Sequence, residues 1–221
     1  MSVSEARNKK DMIRWGVTLA LGMLVYLWRV VLPTNVEITV GIAVLETVLS
    51  LTLTATLIFI NRQELKKRLI KKITGKDVLK TIVTFIVVIF FGVALDWLAL
   101  FNLIFGVDIV PSQPPTAWVA GEFARVFPLG LFISSVIAAP IWEEIAFRMA
   151  GRNLFSNKIF FVLITTFLFV FIHTGFALTT GLTYAVAGIL FGIAYLVTKD
   201  LRIMMFVHSL WNLMVHVTLL S

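Results

Sequence analysis

The chain has 221 residues, 59% of them hydrophobic and only 14% charged. A soluble domain is nearer about 45–50% apolar and about 25% charged, so composition excludes an ordinary soluble enzyme. Cysteine is absent, which excludes disulfides and thiolate metal sites, and the net charge of +7 sits beside apolar segments, where it reads as a topology signal and not as a nucleic-acid surface.

A polar start with Arg7, Lys9 and Lys10 leads into a first apolar segment over about 13–32. That length suits the roughly 20 residues of a span, and no small-residue cleavage site follows it as a signal peptide requires. Pro33-Thr34-Asn35 makes a turn, and a second span covers 38–60. Residues 61–80 are polar and basic, and the spacing of Leu65, Leu69, Ile70 and Ile73 predicts an amphipathic helix lying on the membrane. Lys66, Lys67, Arg68, Lys71 and Lys72 suit it to an anionic lipid surface. The third span is 79–105, followed by a loop over 106–125 with Pro111, Pro114, Pro115 and an interfacial Trp118. Four more spans follow at about 126–155, 159–178, 181–197 and 201–220.

Irregular backbone is not tolerated against lipid, so the spans are helices and the fold class is an all-α, polytopic bundle of about seven spans. Residues 1–125 and 126–221 form two halves of one integrated membrane domain. Alternate loops then fall on opposite sides. Arg7, Lys9, Lys10 and Arg14 share a side with the basic linker, Arg152, Lys158, Lys199 and Arg202, against Arg125 and Arg29 on the other. The positive-inside rule puts the N-terminus in the cytoplasm and the C-terminus outside, in a multi-pass plasma-membrane protein. The sixth span is the weakest of the seven by sequence. Losing it would move Lys199 and Arg202 to the outer side, which argues for keeping it.

Pro140-Ile141-Trp142-Glu143-Glu144-Ile145-Ala146-Phe147-Arg148 places two carboxylates and an arginine inside an apolar helix. Ionisable groups at membrane depth cost at least about 2.5–3.5 kcal/mol each and mark functional sites. Adjacent helical residues point about 100° apart, so Glu143 and Glu144 serve different partners. Arg148 lies four residues after Glu144, on its face, which pairs those two and leaves Glu143 to face the bundle. Phe169 and His173 share a face in the next span, and His208 and Asn212 share one in the last. His216 extends that last stripe towards the outer end as a structural or interfacial residue.

The motifs Glu143-Glu144-x-x-x-Arg148, Phe169-x-x-x-His173 and His208-x-x-x-Asn212, in this order, resemble the CPBP family of intramembrane proteases, also called Abi or CAAX-protease-like proteins. The resemblance covers about residues 126–221. It implies a helical core with a cavity entered largely from the cytosol. It also implies a water activated by Glu143 and His173, an oxyanion held by His208 and Asn212, and support from Glu144, Arg148 and Phe169. The reaction is then peptide hydrolysis without a cofactor and without a covalent intermediate. The substrate is a lipidated or precursor peptide or a membrane protein.

Three other readings share parts of this pattern. Glu143, His173 and His208 form a His₂Glu set of the kind some catalytic zinc sites use. A non-catalytic scaffold for a membrane partner such as a sensor kinase would need no intact motifs. A proton-coupled transporter often shows repeated halves, which this chain does not. Arg29, Glu46 and Asp96 are further charges within apolar spans, expected to pair across the first three helices, away from the catalytic centre.

Overall fold

The computed structural model describes residues 9–25, 27–31, 37–104, 115–175 and 178–220. These residues form nine helices and no strand. They are α1 (Lys9–Met23), α2 (Val40–Ile60), α3 (Arg62–Leu69), α4 (Gly75–Ile104), α5 (Pro115–Val126), α6 (Pro128–Leu154), α7 (Lys158–Thr174), α8 (Leu178–Thr198) and α9 (Leu201–Leu220). A π-helical turn, Leu27–Val31, follows α1. Of these, α2 and α6 are long and apolar enough to cross a membrane, and α7 and the apolar parts of α8 and α9 are shorter. Val40, Phe59, Phe90, Ile159 and Val197 are all more than half exposed on the outside of the bundle, the surface expected of a chain whose solvent is lipid.

Local chemistry sets the helix ends. The Thr39 hydroxyl accepts from the Ile42 amide to start α2. At its far end Asn61 is fully buried, and its amide donates to the Leu57 carbonyl and to the Thr18 hydroxyl of α1 at 2.9 Å. Thr74 and Asp77 exchange side-chain and backbone bonds in a capping arrangement at the start of α4. Asn157 caps α7 through the amides of Ile159 and Phe160. That helix stops at Gly175, whose φ of 62° is the left-handed conformation that suits glycine. The fifth span therefore ends at Thr174, short of the expected 178.

Two expectations for the connections change. Residues 115–126, expected as loop, are helical: Pro115 suits a first helical turn, and Val119, Ala120, Phe123 and Ala124 recur at helical spacing and pack inward. Residues 105–114 and the Trp118 side chain lie outside the described residues. In the linker, helix is confined to Arg62–Leu69 before it resumes at Gly75. Leu65 turns into the bundle, while Ile70 and Ile73 remain exposed.

The bundle has two distinct ends. At one, α3 packs on α9, Arg68 donates to the Tyr195 hydroxyl at 3.0 Å and Arg202 donates to the Lys71 carbonyl at 2.6 Å. At the other, α5 packs against the Leu27–Val31 turn, the start of α6, and parts of α2, α7 and α9.

The long helix α6 is irregular. Residues Phe132–Ala138 and Glu144–Ala150 are π-helical, flanking a short α-helical stretch that carries Glu143. Pro140 explains the first irregularity. It has no N–H to give and its ring crowds the carbonyl four residues back, so the preceding turn widens. The Ala139 amide accordingly bonds to Ser134, five residues back. Such wide turns recur at functional sites.

Candidate active site

Helix α6 is the buried centre of the molecule, and every residue from Trp142 to Gly151 is buried. Helix α1 reaches it through Gly22, where a Cβ would stand 2.8 Å from that of Ala146. Only a residue without a side chain lets the two backbones come so near. This contact fixes α6 against the first helix, three residues past Glu143.

Glu144 faces away from the cavity, as the helical geometry requires. Its Oε1 accepts from His208 Nδ1 at 3.0 Å, and its Oε2 lies 3.5 Å from Arg148 Nε. Arg148 is fully buried, with its guanidinium carbon 5.3 Å from the Phe169 ring centroid and 5.6 Å from that of Phe191. Aromatic faces attract such a cation, more so when it is desolvated. Its three guanidinium nitrogens make no hydrogen bond among the described residues. Arg148 therefore supports the interior and does not reach a cavity.

Glu143 points the other way. It is 1% exposed, and its Oε2 lies 3.7 Å from His208 Nε2, beyond hydrogen-bond distance. His208 thus stands between the two glutamates, with its ring stacked on Phe191 at 4.7 Å. His173 Nδ1 donates to the Phe169 carbonyl at 2.7 Å, because a carbonyl can only accept. In the neutral ring this leaves the lone pair on Nε2. The His173 ring is held between Phe169 and Tyr184, each with its centroid 4.4 Å away. Asn212 donates from Nδ2 to the Ser135 carbonyl at 2.8 Å, across to the widened turn of α6. His216 is buried, edge-on to Phe132.

Glu143 and His173 open onto one cavity of about 70 Å³, room for about two waters. Its walls are mostly apolar, among them Val25, Phe123, Leu131 and Ile172, with α5 contributing Val119, Ala120 and Phe123. Its remaining polar lining is Arg29, Glu46 and Ser135. Arg29 Nε bonds Glu46 Oε1 at 2.8 Å, and Ser50 bonds the same oxygen. The expected pairing of Arg29 with Glu46 is therefore present, but not away from the catalytic centre: both residues line the Glu143 cavity. The Asp96 side chain lies outside the described residues. Sequence had flagged Arg29 and Glu46 as intramembrane charges. What it could not supply was the depth at which the π turn after α1 sets Arg29.

The cavity lies at the end of the bundle away from the basic linker. Arg29 follows α1, Glu46 is early in α2, Ser135 is early in α6 and His173 is late in α7.

Among the described residues, no group of three His, Asp or Glu side chains is arranged to hold a metal ion. His208 turns Nδ1 to Glu144 and His173 turns Nδ1 to a backbone carbonyl, which leaves Nε2 as the remaining donor position of each ring.

Residues 125–214 match the family model described as type II CAAX prenyl endopeptidase Rce1-like. That region contains all three motifs. UPF0177 protein YvdC of Lactococcus lactis subsp. lactis (strain IL1403) is 30% identical over 94 residues, covering 42% of this chain. The match spans 36% of that relative's length. No solved structure matches.

Proposed function

We propose that the protein is an intramembrane endopeptidase that hydrolyses peptide bonds with water activated by Glu143 and His173. The observation that carries this reading is the shared cavity: a buried carboxylate and an imidazole, both facing a space sized for water. A carboxylate removed from bulk solvent and close to its target is suited to general-base work. Glu143 takes the proton as the water oxygen attacks the carbonyl carbon, and His173 orients the water through Nε2. His208 and Asn212 are the oxyanion donors. His208 Nε2, when protonated, and the second amide N–H of Asn212 turn to the carbonyl oxygen as substrate enters. Glu144 holds His208, Arg148 holds Glu144, and Phe169 supports both His173 and Arg148. No metal takes part.

The apolar walls favour a hydrophobic or membrane-embedded segment, so the substrate class is a membrane-associated, lipidated or precursor peptide. Seven spans with the N-terminus inside place the cavity in the outer half of a bacterial plasma membrane, and place the basic linker over anionic lipid. Substrate enters by displacing α5, because about 70 Å³ holds no peptide. Purified protein incubated with a library of hydrophobic peptides tests the reading. Wild type should yield defined cleavage products, and Glu143→Gln and His173→Ala should yield none. Equal cleavage by all three would refute the assignment of Glu143 and His173, and no cleavage by the wild type would favour a non-catalytic scaffold.

A further inference from the structure

We propose that Arg29, outside the three family motifs, is a catalytic residue. Its terminal guanidinium nitrogens bind the scissile carbonyl oxygen and stabilise the negative charge that develops there. The inference rests on the peptidase reading above and adds a residue to that site.

Arg29 is the cation of the cavity lining, beside Glu143 and His173. Arg148, the other arginine of the site, is sealed between two aromatic rings and reaches nothing in the cavity. Arg29 differs from it in each respect. Its side chain is 18% exposed, and among the described residues its bond is from Nε to Glu46 at 2.8 Å. Its terminal nitrogens make no hydrogen bond to the described residues. Glu46 is itself fixed by Ser50 at 2.9 Å, so the guanidinium fork is held in place before substrate arrives. Glu46 is a positioning residue. Donors fixed in advance in a poorly solvated site stabilise developing charge far more than they would in water. His208 and Asn212, the donors proposed above, are engaged with Glu144 and with the Ser135 carbonyl until substrate turns them, so Arg29 adds a donor that already faces the cavity.

The charge balance of the reaction needs such a cation. The water oxygen bonds to the carbonyl carbon, the C=O π pair moves onto oxygen, and the water proton passes to Glu143. On collapse that pair re-forms the carbonyl, the C–N bond breaks, and the Glu143 proton goes to the leaving nitrogen. One negative charge therefore moves from Glu143 to the carbonyl oxygen and then returns to Glu143. Arg29 faces the space in which it moves.

The test uses the full-length protein, a peptide that the wild type cleaves, and a phosphinate analogue of that peptide as an anionic tetrahedral mimic. Removing Arg29 alone would strand Glu46, so the variant is Arg29→Met with Glu46→Gln, compared with Arg29→Lys. The double variant should lose about 10²–10³ in kcat with KM nearly unchanged, and should lose phosphinate affinity by a similar factor. Arg29→Lys should retain part of both, because it keeps the charge and loses the fork. If the double variant does not fold, Arg29→Lys decides alone, with at least about tenfold losses in kcat and phosphinate affinity expected. Wild-type kcat, or a rise in KM alone, would overturn the assignment. A dead Glu143→Gln beside a fully active Arg29 variant sinks the Arg29 role only. A wild type that cleaves nothing and binds the phosphinate no better than the peptide sinks the peptidase reading as well.

Discussion

Gly22→Ala probes the contact that positions α6, the helix of Glu143. The added methyl would stand 2.8 Å from the Ala146 Cβ and 3.8 Å from the Trp142 ring. Ordinary carbon contacts are about 3.5–4.0 Å, so α1 and α6 must separate by roughly 1 Å. Both methyl groups are fixed to backbone, and no rotamer change relieves the clash. Overpacking of this kind costs about 1–3 kcal/mol, or about 2–12 °C in Tm for a chain of this size. Ala146 lies three residues after Glu143, so the separation should also move the carboxylate and reduce turnover. The assay is thermal unfolding in detergent together with cleavage rate. Ala146→Gly in the same chain should restore most of the loss, less about 1 kcal/mol for glycine within a helix. A Gly22→Ala protein as stable and active as wild type would refute the packing argument, as would a double variant no better than the single.

The other predictions concern charge and metal. Arg148→Met strands a buried Glu144 and should cost about 3–5 kcal/mol; adding Glu144→Gln should return part of it, and simple additivity of the two would show that the pair is not coupled. Cleavage should survive strong chelators, and loss of activity on chelation with recovery on added zinc would reverse the metal-free assignment. At the start of α4, bonds from the Thr74 amide and hydroxyl hold the Asp77 carboxyl below its ordinary value of 3.8. A depressed folded value stabilises above the unfolded pKa and is lost as pH falls through the folded one. The cap should therefore hold at neutral pH and loosen below about pH 3.8, read as faster amide exchange at the start of α4. Asp77→Asn should flatten that pH response, and an unchanged response would mean that Asp77 does not cap.

Much of the half that carries the three motifs was legible because membrane chemistry is sparse. In an apolar chain each charge stands out, and helical spacing alone separates Glu143 from Glu144 and pairs the latter with Arg148. The rest needed three dimensions. At 1.5 Å per residue, His173 and His208 sit about 10 Å apart in height on their helices. Sequence gives no means of closing that gap, yet Glu143 comes within 3.7 Å of His208 and shares a cavity with His173. The two wide turns of α6 and the π turn that carries Arg29 have no sequence period to betray them. Helix 115–126 was hidden by its proline-rich approach, which reads as loop until Pro115 is recognised as a first-turn residue. Arg29 and Glu46 were visible as a pair. Their place in the cavity depends on how α1 docks on α6 at Gly22, a tertiary contact.

The most direct test of the account is the single-turnover rate of Glu143→Gln on a peptide that the wild type cleaves, with Tm measured on the same sample. Glutamine keeps the shape and removes the base. The account predicts a fall of at least about 10²–10⁴-fold, with Tm unchanged or raised because a buried charge has been removed. Cleavage by Glu143→Gln at the wild-type rate would contradict it.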